Sequence, residues 1–141
     1  MMRTFVVLAV STVLVSILFC TMVIAAPSLP DDVRMVQPNP SLPKELSAFW
    51  GKWQGVKGNM ELFVIVERIG DQNAGIYLWR SGDPRRGSPG WRRVKAEVIK
   101  ESGKYKLRFR GGEGTVEFTL IGDELEWYTA PSFSALLTRV P

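Results

Sequence analysis

The sequence contains no histidine, and its one cysteine, Cys20, lies in the apolar amino-terminal segment. These two residue types are the usual ligands of zinc, and they supply many of the nucleophiles and bases of enzymes. Without them, the chain after Cys20 carries no signature of a metal centre or a nucleophilic site, and no disulfide can join its parts. We therefore expect no metal, no cofactor and no catalytic residue, and a fold held by its apolar core.

The amino-terminal segment has the pattern of a secretory signal peptide. Arg3 supplies a positive charge, Phe5 to Val23 is largely apolar, and Val23 and Ala25 have the positions that a signal peptidase reads. We expect cleavage after Ala25, so that residues 1–25 form the signal peptide and the protein reaches the periplasm or the extracellular space. The alternative is a membrane anchor formed by residues 5–26, because that apolar stretch is long enough to cross a bilayer.

A proline-rich linker is predicted for residues 26–47, which hold five of the nine prolines and show little apolar periodicity. Near its end, Ser41 is expected to cap a short helical turn with Pro43 in the first turn. Leu46 and Phe49 would then pack onto one end of the domain that follows. Residues 48–141 are assigned to that single domain.

From Phe49 onward, turn-forming residues recur roughly every ten residues, as in all-β proteins. The eight predicted strands are Phe49 to Val56, Leu62 to Ile69, Gly75 to Arg80, Trp91 to Lys100, Lys104 to Arg110, Thr115 to Ile121, Glu124 to Thr129 and Phe133 to Val140. Most of them alternate apolar and polar residues, which predicts one dry and one wet face. Leu62 to Val66 is apolar on both faces, so we expect its outer side to be covered or to lie near the helical turn.

The sequence therefore predicts an all-β fold: an antiparallel up-and-down meander of about eight strands, preceded by a short helical turn. Closure into a barrel would remove exposed strand edges. A partly open barrel or a two-layer sandwich is the alternative.

Gly51-Lys52-Trp53 lies on the first predicted strand, and Arg139 lies on the last. In a closed meander these strands are neighbours, so the guanidinium can lie across the indole. With the helical turn, this pattern resembles the calycin signature of lipocalins and their relatives, which implies that Gly51, Trp53 and Arg139 close the barrel. The chain from Ser41 onward also resembles a small barrel domain that accompanies some secreted bacterial serine hydrolases, on the segments Leu62 to Ile69, Ala74 to Tyr77 and Ala135 to Arg139.

Most basic residues lie between Arg80 and Arg110, whereas acidic residues dominate after Gly111. Basic residues beside an aromatic residue favour anion recognition. In and after the longest loop, four arginines and a tryptophan form such a group: Arg85, Arg86, Trp91, Arg92 and Arg93. An ordinary solvated strand face is the other interpretation. An anionic glycan, a lipid headgroup or an acidic protein would be accessible to an exported protein, and nucleic acid is not expected.

Together these patterns favour an exported, noncatalytic, calycin-like barrel that acts as a binding or accessory module for an anionic envelope component or a small ligand. A protein inhibitor or partner of an extracytoplasmic hydrolase, inserting Ser81 to Gly90, is the alternative. An enzyme is less favoured, because the spacing pairs none of the available carboxylates, Glu61, Glu67, Asp123 and Glu126. A wide, dry cavity would support a carrier, whereas an interior filled by aromatic side chains would leave only the outside and the rims for function. If the basic surface does not bind, the barrel mouth with Trp79 and Trp127 is the next candidate.

Overall fold

The computed structural model describes residues 27–82 and 90–141, so the predicted signal peptide and the loop residues Arg85 and Arg86 lie outside the described residues. The elements are α1 (Lys44–Ser47), β1 (Gly51–Lys57), β2 (Met60–Ile69), β3 (Asn73–Arg80), β4 (Trp91–Glu101), β5 (Lys104–Gly111), β6 (Gly114–Ile121), β7 (Glu124–Thr129) and β8 (Phe133–Val140). Within these two ranges, no helix is both long enough and apolar enough to cross a membrane.

The strands pair in chain order, each antiparallel to the next, and β1 also pairs with β8. The sheet is therefore a closed eight-stranded barrel, which confirms the predicted all-β meander. Strand bounds differ from the predicted ones by at most two residues. β1 begins two residues later than predicted, because Phe49 and Trp50 still belong to the turn after α1, where their backbone N–H groups bond to the carbonyls of Leu46 and Ser47.

The helical turn closes one end of the barrel, as expected. Leu46 and Phe49 are buried in the same apolar cluster as Trp53 and the inner residues of the strands. The predicted cap is wrong: the N-cap residue is Pro43 and no side chain caps the helix. The backbone N–H of Ser41 instead donates to Asn39 Oδ1 at 2.9 Å. We call this end, with the β2–β3, β4–β5 and β6–β7 turns, the closed end.

Two seams of the barrel are paired only toward the closed end. β1 and β8 pair through Lys52–Gln54 on β1, and β4 and β5 pair through Glu97–Glu101 on β4. Beyond these residues each pair of strands continues toward the opposite end without a ladder. The barrel is therefore less tightly closed at that end, which we call the open end.

Residues 28–36, part of the predicted linker, lie against the outside of the barrel, and we call them the strap. The Ser28 carbonyl accepts a hydrogen bond from Trp91 Nε1 at 2.7 Å. The backbone N–H of Val36 donates to the Glu67 carbonyl at 2.8 Å. The strap thus crosses from β4 to β2. Ile65 on the outer face of β2 is buried, as the expected covering of this strand requires.

Candidate functional site

The two ends of the meander meet at Gly51, Trp53 and Arg139. Trp53 and Arg139 are directly opposite in the β1–β8 ladder, and the guanidinium carbon lies 4.1 Å from the centre of the indole ring. The guanidinium also donates to the carbonyls of Trp50 and Ala48, each at 2.6 Å. It therefore ties β8 to the segment between α1 and β1.

Gly51 has a steric role in this closure. Its φ is 132°, and a methyl group in place of its hydrogen would lie 2.5 Å from Nη1 of Arg139. Glycine is therefore required both by the backbone conformation and by the close approach of the guanidinium.

A cavity of about 1190 Å³ occupies the open end of the barrel. Apolar inner side chains of the strands form part of its wall, and polar and charged residues line the rest; the apolar ones include Leu62, Leu78, Phe109, Val116, Trp127 and Phe133. The half of the barrel near α1 is filled instead, because Phe49, Trp53 and Phe118 are fully buried there. The interior is thus a packed core toward the closed end and a chamber toward the open end.

Charged side chains surround the rim of this chamber. Arg80 at the end of β3 makes two hydrogen bonds to the Glu113 carboxylate, at 3.0 and 3.1 Å, and this pairing raises the pKa of Arg80. Lys57 and Arg92 also line the cavity. Within residues 27–82 and 90–141, neither of these two cations lies within 4.0 Å of a carboxylate oxygen. The described rim is therefore net positive.

The predicted anion surface is divided by the alternation of β4. Arg92 is opposite Leu78 in the β3–β4 ladder, so it shares the inner face and reaches the chamber. Arg93 is on the outer face and is bound to Glu67, and Trp91 donates to the strap. Of the three described candidates, Trp91 and Arg92 line the cavity, and Arg92 is the charged residue of the two. Whether this group binds an anion stays a prediction.

Glu67 is the centre of an outer polar cluster that the sequence did not reveal. It lies at a bulge between β2 and β3 and is only 1% exposed. Its Oε1 accepts hydrogen bonds from Arg93 Nη2 at 2.6 Å and Nε at 3.2 Å, and its Oε2 accepts one from the backbone N–H of Arg34 at 3.3 Å. The hydrogen bonds to this carboxylate raise the pKa of Arg93. The one sequence signal was the unbroken apolar run that leads into Glu67, which indicated a covered outer face.

Tyr77 lies beside this cluster, with the guanidinium carbon of Arg93 5.3 Å from its ring centre. Its hydroxyl is buried and has no partner of hydrogen-bond geometry in the described part of the chain. Burial raises the pKa of Tyr77, and the nearby Asp32 carboxylate of the strap adds to the shift, whereas Arg93 opposes it.

The charge segregation seen in the sequence is reduced in space by pairing across strands. On the outer face of β4 to β6, Lys106 bonds to Glu101 at 3.0 Å and to Glu117 at 3.3 Å. Arg108 bonds to the same two carboxylates, each at 2.7 Å. These bonds lower the pKa of Glu101 and raise those of Lys106 and Arg108. This face is therefore a neutralised network rather than a basic surface.

The carboxylates considered for catalysis occupy separate places. Glu67 is engaged by Arg93, Glu126 accepts a hydrogen bond from Ser134 at 2.9 Å, and Asp123 is in the exposed β6–β7 turn at the closed end. In the described ranges, no three His, Cys, Asp or Glu side chains are grouped closely enough to hold a metal ion.

No protein-family model matches the chain, and neither the curated proteins nor the solved structures give a significant match. The closed antiparallel barrel of eight strands is compatible with a calycin-like barrel. The functional argument therefore depends on the geometry of the chain itself.

Proposed function

We propose that this protein is an exported, noncatalytic, calycin-like barrel that binds a small amphipathic ligand with an anionic group in its open end. The observation that carries the proposal is the combination of apolar inner side chains in the chamber with Arg92 at its rim. The apolar wall would take the ligand's hydrocarbon part, and the guanidinium would take its anionic group.

The size and the wall of the chamber support this assignment. Ligand pockets are commonly about 300–1,000 Å³ and mainly apolar, with a few polar groups that fix orientation. The chamber is somewhat larger, about 1190 Å³, and opens to solvent at its rim. Burying hydrocarbon against such a wall gains about 25 cal/mol for each Å² removed from water.

Arg92 supports the choice of an anionic group. Its guanidinium can form two parallel hydrogen bonds to a carboxylate or phosphate, and in the described ranges it has no carboxylate partner of its own. Arg80, by contrast, is already occupied by Glu113. Arg92 is therefore the residue on which we place ligand specificity.

Export is part of the proposal and depends on the sequence of residues 1–25, with an anchor formed by residues 5–26 as its alternative. The resemblance to calycins is supported by the Gly51, Trp53 and Arg139 closure. A role as inhibitor or partner of a hydrolase stays a prediction, because most of the loop that would insert lies outside the described residues.

A fluorescent fatty acid tests the proposed function directly. Dansyl-labelled undecanoic acid should bind saturably, with energy transfer from Trp127 on the cavity wall. Arg92→Gln should weaken this binding about tenfold, the loss expected for one charge-assisted hydrogen bond, and should leave binding of the corresponding dansyl alcohol unchanged. Lys104→Gln, at the closed end, is the matched control. Absence of saturable binding, or an equal effect of both variants, would overturn the proposal.

A further inference from the structure

The seam between β4 and β5 is open toward the cavity end of the barrel. The ladder pairs Glu97–Glu101 of β4 with Lys104–Arg108 of β5 and stops there. β4 nevertheless extends back to Trp91, and β5 extends on to Gly111, each still paired with its other neighbour. We call the interval between residues 91–96 and residues 109–111 the β4–β5 slot.

A longer ladder would bring like charges together. Glu97 is opposite Arg108, so one further step of two residues would place Lys95 directly opposite Arg110. Like charges in directly opposite positions destabilise a strand pair. In the described ranges neither Lys95 nor Arg110 has a carboxylate within ion-pair distance, and both side chains are exposed. Each strand edge of the slot thus carries an uncompensated positive charge.

The slot also contains backbone groups without a ladder partner. The N–H of Val98 donates to Gln72, on the β3 side of β4. Because backbone groups of successive residues alternate between the two sides of a strand, those of Trp91, Arg93 and Lys95 face the slot. These three residues form a short strand edge at the spacing that another extended chain could match.

The side chains around the slot alternate in the same way. Lys95 and Arg110 lie on the outer face, whereas Val94 lies opposite Ile76 on the inner face and Phe109 lines the chamber. A strand placed between them would therefore meet positive charge on its outer side and apolar groups on its inner side.

We propose that the β4–β5 slot binds an extended acidic segment of a partner protein as an additional strand, antiparallel to β4. The segment alternates acidic residues, which face outward between Lys95 and Arg110, with apolar residues, which face Val94 and Phe109. Such strand addition takes its affinity from backbone hydrogen bonds and its specificity from alternate side chains. A peptide matches this edge, because its N–H and C=O groups recur at the spacing of the β4 backbone. The proposal is independent of ligand binding by Arg92.

The positive charges at this edge have a second explanation, which the experiment distinguishes from peptide binding. Proteins place lysine on strand edges to prevent pairing with other chains. If Lys95 and Arg110 serve only that purpose, no extended peptide will bind in the slot.

The probe is a fluorescein-labelled hexapeptide that alternates glutamate and valine, titrated with the full-length protein and followed by anisotropy. We expect saturable binding that weakens with salt. In the proposed orientation the glutamate nitrogens face β4, so methylating them should weaken binding by at least about tenfold. Methylating the valine nitrogens, which face the shorter β5 edge, should have a smaller effect. Absence of binding, or binding that survives both methylations, would overturn the proposal.

A charge-reversed double variant provides an independent readout. Lys95→Glu with Arg110→Glu keeps like charges opposite each other, so the slot should stay open. This variant should lose the glutamate peptide and gain a peptide that alternates lysine and valine. Lys104→Glu, at the closed end, should retain the original preference. A folded double variant that still prefers the glutamate peptide would contradict the proposed site.

Discussion

The guanidinium carbon of Arg139 lies 4.1 Å from the ring centre of Trp53, and both residues occupy the single short ladder that joins the last strand to the first. Because that ladder closes the sheet, this contact joins the first strand of the barrel to the last. Trp53 is also fixed from the other side, since its Nε1 donates to the Phe49 carbonyl at 3.0 Å.

Replacing Trp53 by alanine should lower the free energy of unfolding by about 3–5 kcal/mol, because the indole is 1% exposed and its loss leaves a cavity. Arg139→Ala should cost less. The two losses should not add, since residues in contact are coupled. Urea denaturation of the single and double variants measures the coupling, and simple additivity would show that the contact contributes nothing.

Gly51→Ala should be destabilising by about 1–3 kcal/mol, since alanine is strained at a φ of 132° and its methyl group would approach Arg139. Adding Arg139→Ala should restore part of the loss by removing the close approach, but not the part due to φ. Thermal unfolding of both variants makes the comparison. Gly112→Ala is the control, because no atom lies within 4 Å of the position its methyl group would occupy.

Reversal of one charge in the β4–β5 slot should allow its ladder to extend. Lys95→Glu would place opposite charges at the next pair, a gain of about 0.2–1 kcal/mol, and should slow amide exchange of Arg93. The Lys95→Glu, Arg110→Glu double variant should reverse both effects. Hydrogen exchange followed by NMR measures them, and faster exchange at Arg93 than at Val94 in the wild type would establish the free edge.

Arg93 and Glu67 should respond unequally to substitution. The Arg93 side chain is 48% exposed and can be hydrated when its partner is lost, whereas the Glu67 side chain is 2% exposed and cannot. An unpaired buried charge is strongly unfavourable, so Arg93→Gln should destabilise the protein more than Glu67→Gln. The double variant should be less destabilised than the sum of the two. Equal losses in chemical denaturation would mean that the carboxylate gains little from the guanidinium.

Tyr77 should make stability depend on pH in the alkaline range. Burial, aided by Asp32, raises its pKa above the ordinary value of about 10. A raised pKa in the folded state means that its contribution is complete below about pH 10 and is lost as the pH rises through the folded pKa. Tyr77→Phe should remove this loss while changing stability little at pH 7, because the hydroxyl has no hydrogen-bond partner in the described part of the chain. Unfolding midpoints from pH 8 to 12 test this, and parallel pH profiles would contradict it.

The strands could be predicted because each depends on residues that are near one another in sequence. The closing contact could be predicted because it joins the first strand to the last. Recurring turn residues, with period-2 alternation in most strands, located the strands, and Gly51-Lys52-Trp53 with Arg139 indicated where the meander joins. The same alternation, extended back from Val94, places Arg92 on the inner face. The cluster of basic residues concealed this, since adjacent positions on a strand point to opposite faces.

The strap and the slot could not be predicted, because they depend on relations that residue patterns do not record. The strap is held partly by backbone groups, as in the bond from Val36 to Glu67, so its sequence needs no periodicity. The slot depends on cross-strand register, which brings Lys95 toward Arg110 although fifteen positions separate them. Similarly, Glu101 and Glu117 neutralise Lys106 and Arg108 only once β4, β5 and β6 are aligned.

The strap also determines where other molecules can be attached to this barrel. Its hydrogen bond from Trp91 to Ser28 holds the chain beside the open end, whereas Pro141, which follows β8, accepts a hydrogen bond from Lys52 at 3.0 Å near the closed end. A tag, fusion partner or solid support joined ahead of residue 27 will therefore crowd the chamber and the slot. Immobilisation through the carboxyl terminus leaves both open, so binding measured in the two orientations should differ even when affinity in solution does not.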